Sequence, residues 1–261
     1  MRFMAIVGRL AFACFLIALV VGLTASFGTR LHLWDVRVGL WRIFPFCLYF
    51  GFAGIALGLL WGITALLRNS GVAARFGATG LVGSLIVLAV PLHDIYLVEI
   101  ARAIPPIHDI STDTEHPPPF FAVPPDRAGA PNAPTYDGAQ KVEGPDGRIE
   151  TTTALQKKYY SDIRTAGVLI PPAKLYARAL AAANAMGWRI VKAERSKSGG
   201  RIEATDTTFF FGLTDDIVIR VEPAGNYSRL DIRSKSRFGT TDFGANADRI
   251  RAYAKKLASL G

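Results

Sequence analysis

Three long apolar runs crowd the first third of the chain, and they limit what it can fold into more than any motif does. Phe3 to Phe27 is interrupted only by Arg9 and small polar residues, Phe44 to Leu67 is a second run, and Val72 to Leu92 is a third, with Arg75 near its start. Each reaches the roughly 20 residues that an α-helix needs to cross a hydrocarbon core of about 30 Å. Three retained transmembrane helices are expected rather than a cleaved leader, because no small-x-small site follows a short core and two further runs come after the first. Past Leu92, "HDIYLVEIARAI" continues the third helix for an interfacial turn or two until Pro105 and Pro106 stop it.

Gly54, Gly58 and Gly62 recur every four residues in the second run, and Ala18, Gly22 and Ser26 do so in the first. Small residues on one helix face let backbones approach closely in lipid. These faces are expected to pack helix on helix, either inside one chain or between copies as a homo-oligomer. No acid or base lies in the middle of a run, which argues against a conduction path. Arg2, Arg9, Arg68 and Arg75 on one side balance Arg30, Arg37, Arg42 and Arg102 on the other, so basic flanks do not set orientation. An odd number of spans puts the C-terminal part opposite a short N-terminus, which usually stays inside. The expected placement is a multi-pass protein of the cytoplasmic (inner) membrane with a periplasmic module.

The net charge of +9 is shared between the membrane flanks and the C-terminal part. Basic clusters without a docking motif do not indicate a nucleic-acid partner. Membrane lipids are the expected one, because anionic head groups attract flanking cations. Both cysteines, Cys14 and Cys47, lie in apolar runs, which leaves no disulfide framework and no thiolate zinc cluster beyond them.

Three regions follow from composition: a three-helix transmembrane region over 1–103, a proline-rich strap and linker over 104–148, and a soluble module over 149–261. In the last, "PPAKLYARALAAANAMGWRI" carries Leu175, Ala179, Ala182 and Met186 on one helical face, with prolines at its start and Gly187 at its stop. "WRIVKAER", "GRIEATDTTFFF", "DDIVIRVE" and "SRLDIRSKSRF" alternate as strands, and the turn signals between them predict an antiparallel meander. A final helix carries Phe243, Ala247, Ile250, Ala254 and Leu257, with Asp242 as its N-cap. The fold class is α+β: the three-helix transmembrane region, then a small antiparallel sheet packed with two helices.

Strand alternation places Ile202, Ala204, Asp206 and Thr208 on one face, and Leu230, Ile232, Ser234 and Ser236 on the same side of another strand, with Ile217, Ile219 and Val221 forming the apolar face of the strand between them. That face starts apolar and turns polar. A buried, unpaired carboxylate costs several kcal/mol, so Asp206 is expected to meet a partner, with Arg233, Arg237 and Arg249 the candidates, or to open onto a pocket.

"PIHDISTDTEHPPPFF", "GRIEATDTTFFFGLTDDIVIRV" and "RLDIRSKSRFGTTDFGANADRIRAYAKKL" together resemble an uncharacterised bacterial and chloroplast family, domain of unknown function 1499, over roughly residues 104 to 260. The family brings no established activity, substrate or cofactor. The resemblance implies that "IHDISTDT" belongs to the folded module, and it matches His108, Asp109, Thr112, Asp113, Asp206, Thr207, Asp216, Arg233, Ser234, Ser236, Arg237, Asn246 and Arg249. Apart from Thr112 and Ser236, these form the candidate binding surface. The 104–121 segment is expected to strap across it, with Asp113 on Arg233 or Arg237, because guanidinium takes carboxylate in a fork, and with Phe120 and Phe121 as apolar anchors.

His93, His108 and His116 with nearby acids offer imidazole and oxygen ligands, but their spacing matches no tight metal motif, so neither metal nor cofactor is expected. The reading favoured is a non-enzymatic binding or scaffold module for an envelope partner or an amphipathic ligand. A membrane-anchored hydrolase or metal-dependent enzyme using His108 with Asp109 or Asp113 is the alternative. It needs those groups to converge on Asp206.

Overall fold

A computed structural model describes residues 2–68, 74–101, 103–127 and 129–260. Val72 and Arg102 lie outside the described residues, as does the His93 side chain. The chain divides into a helical unit, Met1–Leu97 with Thr208–Gly212, and a second unit, Val98–Thr207 with Leu213–Gly261.

In the helical unit, α1 is Arg2–Arg30, α2 is Phe44–Arg68 and α3 is Ala74–Ala101, and a π-helical stretch, Val38–Ile43, leads into α2. Two stretches, Arg2–Arg30 and Val38–Leu67, are long and apolar enough to cross a membrane. The third expected span differs: among the described residues its apolar stretch, Arg75–Ala89, is shorter than a crossing requires. Many large apolar side chains of these helices face outward, Leu66, Ile63 and Val20 among them. The glycine spacing is used inside the chain. A Cβ at Gly58 would stand 2.6 Å from that of Leu81 on α3, Gly54 lies against Ser84, and Gly22 faces Cys47, whereas Gly62 has open space before it.

In the second unit, β5 (Arg189–Ser196), β6 (Gly199–Thr207), β7 (Thr214–Ala224) and β8 (Tyr227–Ser236) form the antiparallel meander. Two short strands share the far edge of β8: β1 (Asp109–Ser111) pairs with Arg233–Lys235, and β4 (Ala166–Val168) with Ser228–Leu230. A separate hairpin joins β2 (Lys141–Glu143) to β3 (Ile149–Thr151), and α4 (Thr152–Tyr159) follows, capped by the Thr151 hydroxyl. α5 (Pro172–Ala185) has proline in its first turn and ends before Gly187, whose φ of +76° suits glycine.

α5 and α6 (Ala245–Ser259) cover one face of the sheet. Leu175, Ala179 and Ala183 meet Ile202, Ile217 and Ile232 in the main core. The stripe of α6 is rotated from the expected one: Ala247, Ile250 and Tyr253 are buried, while Phe243 and Ala254 are exposed. Tyr253 can be buried because its hydroxyl donates to the Ala179 carbonyl at 3.0 Å and its ring stacks on Trp188 at 5.3 Å. Phe243 precedes the helix in a left-handed turn with Gly244. The N-cap position falls on Gly244 rather than on Asp242, but the Asp242 carboxylate, two residues earlier, still accepts the amides of Gly244 and Asn246 at 2.8 and 3.1 Å.

Candidate functional site

The other face of the sheet carries charge, and the proline-rich segment seals it. In β8 the period of two sends Ser234 toward α6 and its neighbours Arg233 and Lys235 the opposite way. Both cations are 1 % exposed. Arg233 donates Nε and Nη2 to the two Asp109 oxygens at 2.8 and 2.7 Å, and its remaining donors reach the carbonyls of Pro118 and Pro134. Phe120 and Tyr136 stack on its guanidinium. Lys235 has all three protons engaged, by Asp109, Asp137 and the Thr135 carbonyl. Arg237 grips Asp216 with Nε and Nη2, and Arg127 reaches the same carboxylate.

The expected partnership of Asp113 with Arg233 or Arg237 is not the one formed. Asp113 meets Arg220 at 3.0 Å and also Arg229, and both guanidiniums bind Asp231 as well. Burial pushes the Asp113 carboxyl up, but the amides of His116 and Glu115 with Arg229 and Arg220 outweigh it and hold the group below the usual carboxylate range. Glu203 accepts the successive amides of Phe121, Ala122 and Val123 at 2.7 to 3.0 Å. Phe120 packs on Val123 and Val218, whereas Phe121 stays exposed, with Arg201 over its ring at 4.5 Å. Each of these buried charges has an opposite charge or a set of backbone dipoles against it, the condition under which buried ions persist.

Apart from Thr207 and the His108 side chain, the remaining candidates lie on the helix-covered face. Arg249 of α6 donates Nε to Asp206 at 2.9 Å, Nη2 to Asp215 at 2.7 Å, and Nη1 to Ser234 and Asn246. Asn246 in turn bonds Ser234, Ser236 and the His108 carbonyl, which ties α6 to β8 and β1. The Asp206 side chain is 41 % exposed and ion-paired to Arg249, the expected kind of partner. Thr207 is exposed and shares a hydrogen bond with Thr214 at 2.9 Å. The sheet therefore splits the surface expected as one. Asp206, Ser234, Asn246 and Arg249 lie on one face, joined there by the main-chain carbonyl of His108, and Asp109, Asp113, Asp216, Arg233 and Arg237 lie on the other, to which the His108 side chain is linked through Asp137 and Lys235. The strap crosses the second network rather than the Asp206 face. His108, Asp113 and Asp206 do not converge, and among the described residues no group of three His, Cys, Asp or Glu side chains could hold a metal ion.

His108 itself sits between the Thr240 carbonyl, 3.3 Å from Nδ1, and Asp137, 3.2 Å from Nε2. Burial lowers its pKa, but Asp137 outweighs this and leaves it above 6.5. Asp137, for its part, is held well below its ordinary 3.8: burial raises it, and His108 and Lys235 more than reverse that. The raised His108 contributes stability that is complete below its unfolded value and fades as pH rises through its folded value. The lowered Asp137 contributes stability above about 3.8 that is lost on acidification. Unfolding free energy should thus peak in mildly acidic solution and fall toward neutral and alkaline pH. The alkaline decline should vanish in His108→Gln. Denaturant titrations across pH check this, and equal slopes for the two proteins would refute it.

Sequence reasoning missed Lys235, Glu203, Asp231, Arg220 and Arg127. The available signal was the charged alternation Arg229, Asp231, Arg233, Lys235 in β8, which reads as a solvent face until a covering layer is known.

One concave region is apolar. A cleft of about 640 Å³ runs beside α6, between α5, β4 and β8, and Ile163, Val168, Leu175, Leu230, Ile250 and Leu257 are among its walls. Beside these, α6 contributes Tyr253 and the small side chains of Ala254 and Ala258. Arg164, Arg178, Arg251, Lys255 and Asp162 line it as well. Arg251 holds Asp162 at 2.7 and 2.8 Å.

No curated protein matches the chain. The family model described as protein of unknown function (DUF1499) matches residues 109–257, from the first strand on the β8 edge through most of the last helix. The elements matched are those that build both polar networks and the cleft, and by that match the chain belongs to the DUF1499 family.

Proposed function

We propose that this protein is a membrane-anchored, non-enzymatic binding module. In this reading the apolar helices, α1 and α2 above all, anchor the chain in the cytoplasmic membrane, and the C-terminal unit faces the periplasmic side, toward the cell envelope. A reporter fused after Gly261 tests this: alkaline phosphatase activity with a dark GFP fusion is expected, and the reverse pattern would overturn the placement.

The observation that supports binding is the cleft. Its volume of about 640 Å³ falls within the range of about 300–1,000 Å³ typical of small-molecule sites, which are concave and mainly apolar. What argues against turnover is the saturation of the charged groups. The donors of Lys235 and the carboxylate of Asp109 are engaged by each other or by the strap, which leaves none of them poised as a base or nucleophile. An uncharged alkyl probe bearing a diazirine, applied to the full chain in nanodiscs, should label peptides from 162–178 and 250–258. Ala254→Trp, which places an indole in the cleft from an exposed position, should reduce that labelling at least several-fold. Labelling spread evenly over the second unit would contradict the reading.

A further inference from the structure

Resting on the cleft reading above, we infer that the ligand is an anionic single-chain amphiphile of the fatty-acid type, its hydrocarbon chain in the cleft and its carboxylate at Arg178 and Lys255. The interior dictates the chain. Its polar groups are already committed: the Tyr253 hydroxyl donates to the Ala179 carbonyl at 3.0 Å, and the Thr112 hydroxyl accepts the Ile232 amide at 2.9 Å and reaches Asp231. A polar group buried there would find no partner and would cost the desolvation of that group, so the enclosed part of a ligand must be hydrocarbon. A peptide strand has no ladder to join on β8, because β1 and β4 occupy that edge at Arg233–Lys235 and Ser228–Leu230.

The mouth dictates the head group. Asp162, the acid lining the cleft, is neutralised by Arg251, which also holds Asp248. Arg178 and Lys255 also line it and form no ion pair among the described residues. An anion entering at that rim meets uncompensated positive charge. Two cations also give a carboxylate more donors than an uncharged hydroxyl can use, and charge-assisted hydrogen bonds are roughly twice as strong as neutral ones. The volume suits one chain of a single-tailed lipid better than the pair carried by a bilayer phospholipid.

The test compares diazirine-bearing palmitate and hexadecanol on the full chain in nanodiscs of uncharged lipid, at mildly alkaline pH, with cross-links mapped by peptide mass spectrometry. Palmitate should label the 162–178 and 250–258 peptides about five- to ten-fold more than hexadecanol, and added salt should narrow the gap because exposed charges are screened. Arg178→Glu with Lys255→Glu, both on helix surfaces, should bring palmitate down to the hexadecanol level, while Ala254→Trp should depress both probes. Equal labelling by acid and alcohol in the wild type would overturn the anionic ligand and leave the cleft reading standing. A preference for palmitate that survives the double substitution would overturn the assignment to Arg178 and Lys255. Failure of both probes to label the cleft peptides would overturn the cleft reading itself.

Discussion

Replacing Asp109 by asparagine is expected to destabilise the C-terminal unit by about 3–5 kcal/mol, the cost of removing one partner from a buried ion pair. Asp109 takes both forks of Arg233 and one proton of Lys235, and these two cations are each 1 % exposed. Asparagine keeps the shape and one acceptor oxygen but leaves the buried Arg233 facing an amide and Lys235 with Asp137 as its remaining carboxylate. Domains are stable by only about 5–15 kcal/mol, so the loss is a large part of the total. Denaturant unfolding of the full chain, followed by near-ultraviolet circular dichroism, measures it. The combined change Asp109→Leu with Arg233→Met removes this ion pair and leaves Lys235 on Asp137, and it should cost less than Asp109→Asn alone, since the penalty lies in the unpaired ion rather than in the missing contact. A midpoint for Asp109→Asn indistinguishable from wild type would show that the strap does not shield these cations.

A second large effect is expected at Glu203, and it should be local. This carboxylate is 1 % exposed and receives three consecutive backbone amides, those of Phe121, Ala122 and Val123. Successive amides turned toward one point make an anion-binding concavity. Here the anion is a side chain of the sheet, so Glu203 pins the strap to β6. Glu203→Ala would leave three donors over an apolar hole, at about 2–4 kcal/mol by the usual cost of unmade hydrogen bonds to a charged group. Glu203→Gln should fall between, because its amide oxygen can serve some donors while its NH2 repels others. Hydrogen exchange distinguishes local opening from global unfolding. The amides of Phe121, Ala122 and Val123 should lose protection first, with α5 and α6 still protected. Unchanged protection in the strap would remove Glu203 from this role.

The two substitutions also mark where the sequence was readable. The meander was legible because each strand announces itself locally: alternating residues bounded by glycine-rich turns need no knowledge of neighbours. The helices α5 and α6 were legible from their apolar period and end signals, although the buried side of α6 was misjudged by about one position. Tyr253 was not expected inside, because burial of a tyrosine depends on a carbonyl for its hydroxyl, and Ala179 supplies it from another helix.

The polar residues were less legible. Asp206 with Arg249 was among the pairings foreseen. The idea of one working surface failed on a simple count: adjacent strand residues such as Arg233 and Ser234 cannot share a face. Charged alternation along β8 resembles a wet surface, and nothing local says that a proline-rich segment more than 100 positions away will cover it, as Asp109 does at a separation of 124 from Arg233. By itself the sequence determined the order and kind of elements, since periodicity, caps and turn residues act over a few neighbours. Only the tertiary structure decided which charges are buried and with whom, because antiparallel register and the path of the strap set those distances, and Coulomb attraction at 3 Å carries no trace of how far apart its partners stand in the chain.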